Sequence, residues 1–138
     1  LLKKLKSDIE FYFVSDKHLQ PDESLLKDIN YKMLPNFESI IEDIDVLYVT
    51  RLQKERFSEE SQNIENIIID KKLINKSKDS LIIMHPLPRN NELSTELDDD
   101  NKSKYFEQVN NGVYVRMSIL SHVLNKLNDQ CYHNNTST

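Results

Sequence analysis

Short apolar runs alternate along this chain with charged, amphipathic stretches, and the alternation predicts strands separated by helix-sized spacers. Phe11-Tyr12-Phe13-Val14 reads as a buried strand closed by Ser15-Asp16. Pro21-Asp22-Glu23-Ser24 opens a helix, with proline and acids where the first turn favours them. Tyr31 to Leu34 is a second, weaker strand, and Phe37 to Asp43 a helix with Phe37, Ile40 and Ile41 on one face. Val46-Leu47-Tyr48-Val49 is apolar throughout, as expected of a strand covered on both faces. Ser58-Glu59-Glu60 starts another helical piece, Ile67-Ile68-Ile69 is a strand, Lys71 to Lys76 a short helix, and Leu81 to Met84 a fifth strand.

Beyond Pro88 the pattern becomes irregular and acidic from Asn90 to Asn101. A last helical region follows from Ser103 to Leu127, with a break expected at Asn110-Asn111-Gly112. Five strands with helical spacers imply an α/β fold. It would be a three-layer open parallel sheet of about five strands with helices on both faces. Residues 1–128 read as one domain and 129–138 as a polar, disordered tail.

Composition narrows the function. The chain has 138 residues, of which 38% are hydrophobic, and a formal net charge of −5, which speaks against nucleic acid as the primary partner. Its single glycine, Gly112, cannot build a P-loop or a dinucleotide fingerprint, so the sheet would be Rossmann-like without the glycine cradle and without a nucleotide cofactor. One cysteine, Cys131, excludes a disulfide framework and a multi-cysteine zinc site. His18, His122 and His133 lack metal-ligand spacing, and no metal or other cofactor is expected. The longest apolar runs are strand-length, so no membrane partner is expected and an intracellular, cytoplasmic setting is the default. The chain opens at Leu1 and not at Met, which reads as a piece of a longer protein.

Against 14 lysines stand only four arginines, Arg51, Arg56, Arg89 and Arg116. Lysine cannot copy the planar bidentate fork, so the retained arginines mark candidate anion sites. In open α/β sheets ligands bind beyond the carboxyl ends of strands. Thr50-Arg51-Leu52-Gln53-Lys54-Glu55-Arg56 follows one such end. Arg51 and Gln53 there would make a socket for one carboxylate, with Glu55 orienting Arg51; a solvated charged helix start is the alternative. His85-Pro86-Leu87-Pro88-Arg89 follows another end. Its prolines remove two donors, so it presents carbonyls, and the Leu87-Pro88 bond is a candidate cis peptide. His85 is read either as a site residue or as a cap on a rigid strand exit. Arg116, in the first turn of a restarted helix, would oppose the dipole, which suggests an acidic or subunit partner; a surface position without a role is the alternative. Asp98-Asp99-Asp100 lacks calcium-loop spacing and reads as a solvated loop.

These segments, with Tyr105-Phe106, Asn111-Gly112 and Arg116, resemble in order and spacing the aspartate-binding domain of aspartate transcarbamoylase catalytic chains, from Leu1 to Leu127. The related ornithine enzymes carry cysteine where Pro86 stands and lack the Arg51/Gln53 socket, which favours aspartate. The resemblance implies that Arg51, assisted by Gln53, pairs with the side-chain carboxylate of L-aspartate, and that Glu55 holds Arg51. It implies that the backbone at Leu87 and Pro88 accepts from the carbamoyl nitrogen and the aspartate amine, with the Leu87-Pro88 peptide cis. His85 and Arg56 are supporting residues, and Arg116 bridges to an amino-terminal domain. Where family members often carry an acid, Asn91 stands, and no role follows there. The implied activity is carbamoyl transfer from carbamoyl phosphate to L-aspartate in pyrimidine synthesis. Carbamoyl phosphate would be bound mainly by the amino-terminal domain, within a homotrimer. This piece alone would be inactive. The alternative is a non-catalytic transcarbamoylase-like interaction or regulatory module.

Overall fold

The computed structural model of the chain describes residues 8–51 and 67–134. Four strands form two parallel pairs: β1 (Glu10–Val14) with β2 (Asn30–Leu34), and β3 (Val46–Tyr48) with β4 (Ile82–Met84). Among the described residues there are two α-helices, α1 (Lys71–Ile74) and α2 (Tyr105–Asn134). The α/β character read from the sequence is present, and every strand pairing is parallel.

In the first pair, Phe11 lies opposite Tyr31 and Phe13 opposite Met33. The period of two puts these four on one face, where the Phe11 and Phe13 rings stack at 6.3 Å and Tyr31 meets Phe13 edge-on at 6.2 Å. The other face is polar at one end, where Lys32 Nζ sits 2.9 Å from Glu10 Oε1 and over the Tyr12 ring, and ends on the half-buried pair Val14 and Leu34.

The main core surrounds the second pair. Leu47, Val49, Leu81 and Ile83 pack with Ile41, Ile69, Ile74, Leu93, Leu97 and Tyr105. The alternate residues Val46, Tyr48 and Ile82 are exposed on the opposite face. The apolar run at β3 is thus half-buried, and its expected cover on both faces is absent among the described residues. Two isolated parallel bridges extend the pairing, Ile83 with Ser103 and Ile69 with Leu93.

Several local expectations are corrected. Ile67–Ile69 is not a strand: only Ile69 pairs, because Asp70 immediately caps α1 by accepting the Leu73 N–H at 2.8 Å. The helix expected at Pro21 is a single 3-10 turn, Glu23–Leu25, with Asp22 as its cap. Residues 37–44 form tight turns and not a regular helix, although their apolar face is right: Ile41 is fully buried and Phe37 packs on the core. The irregular stretch 90–101 contains a 3-10 turn, Thr95–Leu97, and sends Leu93 and Leu97 into the core.

The largest difference is at the carboxyl end. Helix α2 runs unbroken through Asn110-Asn111-Gly112, and Gly112 has no positive φ. A glycine inside a helix costs about 1 kcal/mol, too little to stop one whose hydrogen bonds continue on both sides. The helix includes Asp129 to Asn134, which the sequence assigns to an irregular tail. The helical start expected at Ser58 lies outside the described residues.

Candidate functional site

Because β3 and β4 are parallel and paired in register, Tyr48 opposite Met84, their carboxyl ends lie on one edge. The Val49 N–H donates to the Met84 carbonyl at 2.9 Å, fixing that edge. Arg51 leaves β3 there and His85 leaves β4 there. A third segment arrives in parallel, since Ile83 accepts from the Lys104 N–H and donates to the Lys102 carbonyl, and α2 begins at Tyr105. Arg51, the His85–Arg89 loop and the start of α2 therefore lie at one sheet edge, while the Asn110–Arg116 segment lies farther along α2 and residues 52–56 lie outside the described residues. Arg51 is half-buried; Gln53, Glu55 and Arg56 lie outside the described residues.

The His85–Arg89 loop is held from within. The His85 ring is fully buried. Its Nδ1 accepts the Leu87 N–H at 2.9 Å, so the ring proton resides on Nε2, which donates to Glu92 Oε1 at 2.9 Å. Glu92 in turn accepts the Asn90 N–H with both oxygens, at 3.1 and 3.2 Å. Burial pushes the Glu92 carboxyl up, but the N–H groups of its own backbone and of Asn90, together with His85, outweigh burial and hold it below the usual carboxylate value. With both ring nitrogens engaged, His85 fixes the loop and has no lone pair left for a ligand.

The Leu87-Pro88 peptide is cis, and Leu87 adopts φ 45°, the left-handed region that a branched side chain seldom enters. Pro86 and Pro88 carry no N–H, and that of Leu87 is consumed by His85. Residues 86–88 consequently offer a ligand carbonyl oxygens and no donor. Such a surface recognises an amine or amide N–H.

Helix α2 secures the loop from the other side. Gln108 Oε1 accepts the His85 N–H at 3.0 Å, and Gln108 Nε2 donates to the Tyr48 hydroxyl at 3.3 Å. One side chain so ties α2 to the ends of both core strands. Arg89 forms a two-pronged pair with Asp98, its Nη2 lying 2.6 Å from Oδ2. The Tyr105 hydroxyl donates to Asp98 Oδ1 at 2.6 Å. Hydrogen bonds from Arg89 and Tyr105 lower the Asp98 carboxyl to about 2, while burial and Asp98 push the Tyr105 phenol up.

Asp98 is thus not part of a solvated loop; it is the anchor of Arg89. Arg116 is also reassigned. It lies mid-helix, exposed, with its guanidinium folded over Gly112, so the first-turn dipole argument for a partner does not apply. Glu92, Asp98 and Gln108 were not legible as site residues. Each meets a partner 7 to 60 residues away, and no local spacing marks them. Among the described residues, no three His, Cys, Asp or Glu side chains gather as a metal site, and no helix is long and apolar enough to cross a membrane.

Comparison with known proteins agrees with this geometry. Residues 3–123 match the family model described as "Aspartate/ornithine carbamoyltransferase, Asp/Orn binding domain". The chain is 44% identical over 124 residues to an aspartate carbamoyltransferase catalytic subunit of Methanobrevibacter smithii, a match covering 84% of this chain and 39% of that protein. It is 42% identical over 121 residues to the multifunctional protein pyr1-3 of Dictyostelium discoideum, covering 82% of this chain and 5% of the relative. Among solved structures, aspartate transcarbamoylase of Trypanosoma cruzi in complex with carbamoyl phosphate and aspartate superposes with a TM-score of 0.71. It is 34% identical, over 80% of this chain and 40% of that one. The chain therefore spans about two fifths of the catalytic subunits it matches. The family-model match over residues 3–123, with these similarities, shows that the chain belongs to the aspartate/ornithine carbamoyltransferase family and matches its Asp/Orn-binding domain.

Proposed function

We propose that residues 1–128 are the aspartate-binding domain of an aspartate carbamoyltransferase, working with a carbamoyl-phosphate domain outside this sequence. The observation that carries this reading is the donor-free 86–88 loop sharing a sheet edge with Arg51. L-Aspartate has two carboxylates and one amine, so its site needs cationic forks on one side and acceptors on the other. Arg51, with Gln53, takes the side-chain carboxylate, and Glu55 holds Arg51 in position. The carbonyls of Leu87 and Pro88 accept from the aspartate amine and from the carbamoyl nitrogen. Arg56 supports the socket, and Arg116 reaches the other domain through an ion pair.

The reaction is attack of the neutral aspartate amine on the carbamoyl carbon. The new C–N bond forms a tetrahedral oxyanion, the C–O bond to phosphate breaks, and the amine proton leaves with the phosphate. Holding the amine against the carbonyl carbon is an entropic contribution, and this domain supplies it. Stabilising the oxyanion and neutralising phosphate fall to the carbamoyl-phosphate domain, so the isolated domain is inactive. In this reading the strands belong to one open three-layer sheet of about five, in a Rossmann-like arrangement. The exposed Val46, Tyr48 and Ile82 support a layer over that face. The native assembly is a cytoplasmic homotrimer.

The test is Arg51→Ala in the native enzyme, assayed by N-carbamoyl-aspartate formation. Loss of a charge-paired contact in a desolvated site costs about 2–5 kcal/mol in kcat/KM for aspartate. A loss below threefold, or robust turnover by this domain alone, sinks the reading.

A further inference from the structure

We infer that Glu92 is a positioning residue which, through the His85 imidazole, fixes the direction of the carbonyls at residues 86–88. The inference rests on the reading of that loop as the amine-binding element. A closed circuit of hydrogen bonds carries it: Leu87 N–H to His85 Nδ1, His85 Nε2–H to Glu92, and Asn90 N–H to Glu92. The circuit brackets both prolines, so it fixes the backbone whose carbonyls the proposed function assigns to the ligand.

Two features require such a device. Leu87 at φ 45° sits in a conformation its side chain disfavours, and a conformation of that kind persists only where surrounding contacts enforce it. The Leu87 N–H bond to Nδ1 enforces it, but only while Nδ1 carries no proton. A neutral imidazole places its proton on either nitrogen, and a proton on Nδ1 would face the Leu87 N–H. The choice is made at the far side of the ring, where the Glu92 carboxylate accepts from Nε2 and so keeps the proton there. Glu92 suits this work because it stays ionised: its side chain is only 12% exposed, yet two backbone N–H groups and the ring hold its charge. Gln108 secures the His85 backbone, which leaves rotation and tautomer of the ring as the freedom that Glu92 removes.

The experiment compares wild type, Glu92→Ala and Glu92→Gln in the native protein. Carbamoyl transfer at saturating carbamoyl phosphate is measured against aspartate concentration. The expected result is a rise of at least fivefold in KM for aspartate in Glu92→Ala. Glu92→Gln, which keeps an acceptor oxygen for Nε2–H, is expected to return to within threefold of wild type. A merely structural role would lower the thermal midpoint and the amount of active enzyme while leaving KM in place. A KM change below fivefold in Glu92→Ala, or a Glu92→Gln variant no better than Glu92→Ala, overturns the inference.

Imidazole ¹⁵N shifts of His85 give a readout independent of activity. Wild type is expected to show a protonated Nε2 and a bare Nδ1, and Glu92→Ala a mixture of tautomers with a displaced Leu87 amide resonance. Wild type protonated at Nδ1, or a Glu92→Ala signature identical to wild type, overturns the inference even if the variants fold poorly. Absence of carbamoyl transfer in wild type would instead sink the proposed function, with the NMR result still deciding the role of Glu92.

Discussion

Asp98→Asn isolates one electrostatic contribution to the frame of the site. The substitution keeps the shape of the side chain and one oxygen for the Tyr105 hydroxyl, but removes the charge that faces Arg89. The folded state lowers the Asp98 carboxyl to about 2, against an ordinary value of about 3.9. At 1.36 kcal/mol per pKa step this sets a ceiling of about 2.5 kcal/mol. Asp98 is 31% and Arg89 15% exposed at their side chains, so water screens part of it, and about 1–1.5 kcal/mol is expected at pH 7.

The sign follows from linkage. A carboxyl depressed in the folded state contributes fully above its unfolded pKa, and the contribution fades as pH falls from about 4 towards 2. At pH 3 about half remains. Urea unfolding of wild type and Asp98→Asn at pH 7 and pH 3 measures this directly, because the difference in midpoint multiplied by a common slope gives the energy. Equal stability at pH 7 would refute the pair as a stabilising contact. A difference that does not shrink at pH 3 would show that charge is not its source.

Two further perturbations probe how neighbouring elements are set. Asp70→Ala removes the oxygen that accepts the Leu73 N–H at 2.8 Å and anchors the four-residue helix α1. It should cost about 1 kcal/mol in thermal unfolding, and a loss below about 0.3 kcal/mol would mean that burial of Ile74 holds α1 without its cap. Gly112→Ala should stabilise by about 0.5–1 kcal/mol, since the residue is helical and an added Cβ meets only the flexible end of Arg116, at 3.3 Å. Destabilisation by Gly112→Ala would indicate that the helix does break there, as the Asn110-Asn111-Gly112 pattern suggests.

The sequence by itself determined whatever lives in a residue's own covalent chemistry or in short-range periodicity. Prolines at 86 and 88 lack N–H groups in any fold, so a carbonyl-presenting loop was legible, and the cis Leu87-Pro88 peptide was a readable candidate. Four of the strands were legible because short runs rich in apolar, aromatic and β-branched residues, bounded by polar or turn residues, favour extended backbone. The order of the arginine and proline motifs identified the family. Tertiary structure alone decided which distant groups meet. Parallel pairing of β3 with β4 brings Arg51 and His85 to one edge, and packing of stretch 90–104 brings Glu92 to His85 and Asp98 to Arg89. Local rules also misjudged competition between neighbours. Asp70 follows the single bridged residue Ile69 with the cap of α1, its side chain accepting from Leu73, and Gly112 stayed helical because the turns on either side outweighed its preference. Hydrogen-bond partners far apart in the chain leave no mark on the residues between them, so only the folded structure shows that the acidic stretch supports the His85–Arg89 loop.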